Sequence, residues 1–203
     1  YRFLLADENG SLWMLDKDGK VLDGWNPRVV GKELLVAPRH YRLHGKDYIV
    51  AIQKNGVVSI MNRRGEMLKN FPLETGIKPA GNYFIVSSDK ASERSIVMLT
   101  SDGYKAKITF DGKVSGKESL LKNSPETKFS LVPERKEKSY LIKRQDAQQL
   151  VLLDEDGKVI IKNDYIGMNE AEITYEDFGG GNTLITISDR VQNLSFIYDG
   201  RGT

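Results

Sequence analysis

The chain has 203 residues, 39% hydrophobic and 29% charged, with 30 basic against 28 acidic side chains. That composition belongs to an ordinary globular protein able to bury a large core, and a net charge of +2 is too balanced for a nucleic-acid binder. No cysteine is present, which excludes disulfides and thiolate metal sites, and no apolar run approaches the roughly 18 residues of a membrane span.

The chain opens inside an apolar run, Tyr1-Arg-Phe-Leu-Leu-Ala6, with neither initiator methionine nor signal peptide, so it is expected to be a segment or a trimmed form of something longer. Asn9-Gly10 closes this run. Ser11 to Leu15 forms a second β-rich run, Asp18-Gly19 a second turn, and Lys20 to Trp25 a third run. Asn-Gly and Asp-Gly between apolar runs are strong hairpin signals, because both residues tolerate positive φ. Glu33 to Tyr41 holds a fourth apolar-rich run.

The same order then returns. NGSLWMLDKDGKVLDGWNP from Asn9 is followed by NGVVSIMNRRGEMLKNFPL from Asn55, SDGYKAKITFDGKVSGKES from Ser101 and DAQQLVLLDEDGKVIIKND from Asp146. Gly10, Gly56 and Gly103 mark the first turn of successive copies. Gly19, Gly65, Gly112 and Gly157 mark the second, in steps of 46, 47 and 45 residues. A degenerate fifth copy, DRVQNLSFIYDGRGT, offers Gly200 or Gly202. The strand before the first turn recurs as Phe3-Leu-Leu-Ala, Ile49-Val-Ala-Ile, Ile96-Val-Met-Leu, Leu141-Ile-Lys-Arg and Ile185-Thr-Ile.

No segment sustains a 3.6-residue apolar period, so helices should be few. Four short antiparallel strands every 45–47 residues describe a blade of a β-propeller. A β-sandwich needs no equal spacing, and a β-solenoid coil is shorter and lacks two tight turns per repeat. The expected fold is therefore all-β, a propeller of four-stranded blades forming one domain over residues 1–203. Its repeats lie near 1–33, 34–79, 80–126, 127–170 and 171–203. Dividing 203 by 46 gives about 4.4 units, a partial propeller. The first residues align with the second strand of a unit and the last with a third strand. An open arc, or a ring completed by sequence outside this chain, is expected.

The stretch Leu15-Asp-Lys-Asp-Gly-Lys-Val-Leu-Asp-Gly-Trp25 poses the chemical question. Asp16-Lys-Asp18-Gly and Asp154-Glu-Asp156-Gly look like pieces of a calcium loop. Such loops need about three alternating oxygen ligands before the glycine and a distal carboxylate. Only two are present, and the second copy, Asn62-Arg-Arg-Gly65, puts cations where ligands belong. A hairpin turn is expected, with no metal. The same stretch resembles the tryptophan-docking repeat of pyrroloquinoline-quinone dehydrogenase propellers. Here, however, Trp25 stands six residues past Gly19, Phe71 replaces it in the second copy, and Glu118 and Asn163 follow in the third and fourth. The resemblance supports the propeller and implies no cofactor. Trp25 and Phe71, followed by Pro27 and Pro72, are expected to be packing anchors between blades.

Other chemistry is sparse. His40 and His44, in HYRLH, would share a strand face about 13 Å apart at roughly 3.3 Å per residue, too far to chelate one ion. Arg135 to Arg144, RKEKSYLIKR, reads as two solvated strand edges and a turn, and Gly179-Gly-Gly-Asn182 as a flexible connection between blades. No Gly-x-Ser-x-Gly elbow and no phosphate loop occurs, and no catalytic residue is nominated.

The repeats also resemble those of a propeller region in large envelope-associated proteins of the Bacteroidota, a family of undefined function. The most specific parts are Gly45-Lys-Asp-Tyr-Ile-Val50, Asn62-Arg-Arg-Gly65 and Gly24-Trp25. The resemblance implies an extracytoplasmic parent, in the periplasm or cell envelope, tethered to the membrane only through sequence outside this chain. Two functions follow as expectations. One is a non-catalytic module presenting loops to a protein or glycan partner. The other is an enzyme with its site in the propeller channel, a quinone-dependent oxidoreductase or a glycan-active protein.

Overall fold

A computed structural model describes residues 2–25, 27–120, 122, 124–164 and 170–203. Eighteen strands fill it, and no helix occurs among these residues. The first sheet holds β1 (Phe3–Ala6), β2 (Ser11–Leu15) and β3 (Arg28–Val29). The second holds β4 (Arg39–Leu43), β5 (Lys46–Ile52), β6 (Val57–Asn62) and β7 (Leu73–Glu74). The third is built from β8 (Pro79–Val86), β9 (Ser95–Thr100), β10 (Tyr104–Thr109) and β11 (Val114–Ser119), the fourth from β12 (Lys128–Pro133), β13 (Tyr140–Gln145), β14 (Leu150–Leu153) and β15 (Val159–Asn163). The fifth holds β16 (Glu172–Asp177), β17 (Thr183–Asp189) and β18 (Leu194–Asp199). Within every sheet the strands follow chain order, and each pair with a described register is antiparallel. This is the meander that tight hairpin turns produce.

The chain divides into two compact units. One comprises Tyr1–Asn82, Ser87–Ile96 and Lys107–Gly116; the other comprises Tyr83–Val86, Val97–Ala106 and Lys117–Thr203. The third sheet contributes strand segments to both. In the first unit, Leu12, Met14 and Trp25 of the first sheet pack on Ile49, Ala51 and Met61 of the second. In the second unit, Phe84, Val97 and Leu99 meet Phe129, Tyr140, Ile142 and Val151, while Leu150, Leu152 and Ile161 meet Ile185 and Ile187. Middle strands therefore bury both faces. All six residues of β9 and all four of β14 are buried, whereas β11 is exposed along its length. That is why the middle strands read as continuous apolar runs instead of alternating ones.

The turns differ from expectation in kind. Gly19, Gly56, Gly103 and Gly157 each take positive φ, but the residues before them, Asp18, Asn55, Asp102 and Asp156, do not. Each loop is a type I turn closed by a left-handed glycine, in which residue i donates to the carbonyl of i+4 or its glycine donates to the carbonyl of i. Both bonds occur at Asp7, Asp16, Gln53, Asn62, Thr109, Asp154 and Asp199. The true two-residue turn with two positive φ values is His44-Gly45, between β4 and β5, which no Asn-Gly or Asp-Gly signal marks. In the fifth copy the turn glycine is Gly202, at φ 80°, whose amide donates to the Asp199 carbonyl.

Four other expectations fail. Lys20 to Trp25 is no strand: it makes one bridge, Leu15 with Val21, and then turns, so that the third strand falls at Arg28–Val29. Where Glu118 and Asn163 stand instead of an aromatic, β11 and β15 run on directly from the turn. Glu33 to Tyr41 yields only a bridge at Leu34 before β4 starts at Arg39. Arg135 to Arg144 is a turn followed by β13, an inner strand paired on both sides with Tyr140, Leu141 and Ile142 buried. The glycine run Gly179–Gly181 makes the hairpin between β16 and β17 inside one sheet. Its three glycines supply three consecutive positive φ values there.

Trp25 is 4% and Phe71 8% exposed. Trp25 Nε1 donates to the Arg63 carbonyl at 3.0 Å, and its ring lies over Gly65 of the second sheet. Asn70, beside Phe71, donates to the Asp111 carbonyl at 2.7 Å and lies over Gly112. In the second unit, the Ile160 carbonyl lies over Gly202. Each glycine seats the outer edge of the preceding sheet, where a Cβ would collide.

Replacing Trp25 with Ala is expected to lower unfolding free energy by about 3–5 kcal/mol in urea titration, as large core truncations do. Gly56→Ala, which strains φ and drives a methyl into the Ile77 carbonyl, is expected to cost at least about 2 kcal/mol. Gly76→Ala, with positive φ but open space, should cost clearly less.

Candidate functional site

The Asp-x-Asp-Gly pairs are turn frames. Asp16 Oδ1 accepts the amides of Asp18 (2.8 Å) and Lys20 (3.0 Å), and Asp154 Oδ1 those of Asp156 (3.0 Å) and Lys158 (2.8 Å). Asn62 does the same with Arg64 and Glu66, Asp7 with Asn9 and Ser11, and Asp199 with Arg201 and Thr203. These are Asx turns, in which a side-chain oxygen at i satisfies the amides of i+2 and i+4. Accepting such bonds favours the ionised carboxylate, and the pKa values of Asp7 and Asp199 lie below the ordinary range chiefly for that reason. The second aspartate of each pair serves no such purpose: Asp18 only meets Lys17, both exposed. Among the described residues, no three His, Asp or Glu side chains converge as metal ligands would.

The histidines part company. His40 lies on β4 and pairs with Asp47 at 3.0 Å, while His44 sits in the hairpin turn at φ 48° and reaches Ser87 and Asp89. The expected shared strand face does not exist, because the turn removes His44 from the strand.

Buried charges are consumed internally. Arg94, 3% exposed, lies against the rings of Tyr48 and Phe110 and donates to the Tyr48 hydroxyl and the Ser88 carbonyl. Glu134, 1% exposed, accepts the amides of Lys136 and Asp177. Lys105 reaches Glu118 at 2.7 Å and the Glu155 carbonyl. Lys143, 4% exposed, holds Glu170 at 2.7 Å and the Ala171 carbonyl, and that bond keeps the Glu170 carboxyl below its ordinary pKa. Burial pushes the Tyr140 hydroxyl up, beyond any physiological titration.

Two open cavities stand out. One of about 510 Å³ lies between β12 and β16, with apolar walls of Leu131, Val132, Ile173 and Tyr175 and the ion pair of exposed Arg135 with half-buried Glu176 on its rim. The other, of about 610 Å³, is walled by Trp25, Gly24 and Leu22 and ringed by Arg2, Arg28, Arg63 and Arg64, with Asp23 and Glu66 also on its lining. No guanidinium in that ring forms an ion pair among the described residues. Sequence reasoning used Arg63 and Arg64 only as an argument against a metal. The signal that could have flagged them is that both tip residues are cations in this copy alone.

In the second turns the frame and the tips separate. At each second turn the first residue and the glycine hold the loop, while the residues between them change from copy to copy. They are Lys17-Asp18, Arg63-Arg64, Phe110-Asp111, Glu155-Asp156 and Gly200-Arg201. All but Phe110 and Asp111 are exposed.

No protein-family model and no curated protein matches the sequence. Solved β-propeller structures do match the fold. BBS1N, solved in complex with ARL6DN, shares 14% identity at a TM-score of 0.63, over 98% of this chain and 60% of that one. Sqt1 of Saccharomyces cerevisiae matches at 12% and 0.59, over 97% and 58%. BamB of Moraxella catarrhalis matches at 12% and 0.55, over 100% and 56%. The chain thus spans about 60% of the length of these relatives. Its fold is a β-propeller of antiparallel three- and four-stranded blades.

Asp16→Ala, which strips two amides of their acceptor, is expected to lower stability by about 1–2 kcal/mol, and Asp18→Ala by less than about 0.5. A calcium loop would make the two variants alike and would raise the melting temperature on calcium titration. Glu170 gives a pH test. Its folded-state pKa is depressed, so its contribution is complete above the unfolded value near 4.5 and is lost as pH falls through the lower folded value. The urea midpoint of Glu170→Gln is therefore expected to fall less steeply than that of the parent below about pH 4.5.

Proposed function

We propose that this chain is a non-catalytic binding module of a larger cell-envelope protein, presenting its turn tips to a macromolecular partner, a protein or a glycan. The observation that carries the proposal is the division of labour in the second turns. Aspartate, asparagine or threonine and a glycine fix the backbone, and the exposed residues between them vary in charge without touching the frame. A repeated rigid scaffold with variable tips suits recognition, since ordering entropy is spent in folding and not again on binding. The BBS1N complex with ARL6DN supports a protein partner for a propeller of this kind. The extracytoplasmic setting rests on the likeness of Gly45–Val50, Asn62–Gly65 and Gly24-Trp25 to the envelope repeats.

A photo-crosslinking amino acid placed singly at Arg63, Glu155 and Arg201 of the intact parent protein, in the cell that makes it, tests the proposal. Discrete macromolecular adducts are expected from these tips and not from Lys107 or Lys117 on the sheets. Adducts spread evenly over tips and sheets, or none at any tip, would refute it.

A further inference from the structure

Beside Trp25 four arginines, Arg2, Arg28, Arg63 and Arg64, ring one cavity, and none of them forms an ion pair among the described residues. We propose that this ring is a docking site for an acidic peptide segment of a protein partner, an inference that rests on the binding-module reading and names the partner's chemistry.

The site is held in advance. Arg63 and Arg64 project from a turn whose amides are taken by Asn62: Arg64 N and Glu66 N donate to its Oδ1, and Gly65 N to its carbonyl. The first sheet clasps the same turn, through the bond from Trp25 Nε1 to the Arg63 carbonyl and longer contacts from Arg28 Nη2 to the Arg64 and Gly24 carbonyls, at 3.4 and 3.5 Å. Arg28 lies over Gly65, where a Cβ would meet its Nε, and that buried Nε–H finds no acceptor among the described residues. A guanidinium carries five N–H donors, and among the described residues most of those of Arg28, and all those of Arg2, Arg63 and Arg64, are unspent. Four cations against two carboxylates, Asp23 and Glu66, around one cavity leave a local positive field in a molecule whose net charge is only +2.

Carboxylates of a peptide fit this ring better than a phosphate ion does. A phosphate site characteristically uses a nest of free backbone amides, and here the turn's amides are occupied by Asn62. What remains is side-chain forks, which grip carboxylates in bidentate pairs. Three of the four arginines are exposed, which suits an extended ligand lying across an open cavity. Asp23 and Glu66, the latter bonded to Asn62 Nδ2 at 2.7 Å, bound the ring and repel a carboxylate placed out of register.

Isothermal titration with a hexaglutamate peptide tests the proposal, using hexaglutamine, a sulfated heparin oligosaccharide and inorganic phosphate as further probes. Saturable hexaglutamate binding is expected, weakening at least about tenfold in Arg63→Ala/Arg64→Ala and weakening as salt rises through about 0.1 M. It should persist in Lys17→Ala/Asp18→Ala, with no hexaglutamine binding. The double arginine variant is expected to melt like the parent, because Trp25 holds the Arg63 carbonyl and not its side chain. Arg2→Ala, remote from the turn in sequence, provides a second variant and should also weaken binding. Hexaglutamate binding unchanged in both variants, absence of hexaglutamate binding, or displacement by phosphate or heparin at equal or lower concentration overturns the assignment. Tip crosslinks that persist while hexaglutamate fails sink only the acidic-peptide site; loss of tip crosslinks sinks the module reading itself.

Discussion

One side-chain oxygen per turn governs this structure. A meander of short strands must reverse direction after every two to eight residues, and each reversal leaves amides that no strand can pair. Asp7, Asp16, Asn62, Asp154 and Asp199 each turn an oxygen back onto two of those amides, and a glycine in the left-handed region closes the loop. The threonines at 100 and 109 serve in the same positions through a hydroxyl, which accepts the amide four residues on. Because the bonding is local, it fixes where each strand ends. Register follows, since a slip of one residue would turn every core side chain outward.

The same glycines serve a second purpose between sheets. With no Cβ, Gly65 accepts Trp25 and Arg28, and Gly112 accepts Asn70, so the outer edge of one sheet rests on the turn of the next within the first unit. The aromatic copies accomplish this by breaking the outer strand: Trp25 turns inward and the chain resumes pairing only at Arg28. Where Glu118 and Asn163 replace the aromatic, nothing pulls the chain inward and the outer strand runs straight from its turn. One substitution at an equivalent position thus decides between a long exposed edge strand and a short one with a buried anchor.

Freeing the tips is the functional consequence. When the first residue and the glycine satisfy the loop backbone, the exposed side chains between them can diverge at little cost in stability; the third copy is the exception, its Phe110 being buried against Tyr48 and Arg94. Buried charges are treated in the opposite way: Arg94, Glu134, Lys105 and Lys143 are all satisfied by internal partners. Against that background the arginines beside Trp25, which form no ion pair among the described residues, are a departure, because a cluster of like charges is unfavourable unless opposite charge answers it.

The sequence by itself determined the periodicity, and with it the fold. Apolar runs with turn signals repeating every 45–47 residues are a local pattern that survives without knowledge of packing, and the repeat spacing of Gly19, Gly65, Gly112 and Gly157 carries it. The burial of Trp25 and Phe71 was legible for the same reason. Tertiary structure decided what depends on neighbours. RKEKSYLIKR looks solvated by composition, yet its second half is an inner strand, because β12 and β14 flank it and Glu170 answers Lys143. Lys20 to Trp25 looks like a strand, yet Trp25 finds its partner in the next sheet and bends the chain. The arginine ring draws on residues 2, 28, 63 and 64, and only the packing of Trp25 onto the Asn62–Gly65 turn brings positions so far apart in sequence to one cavity.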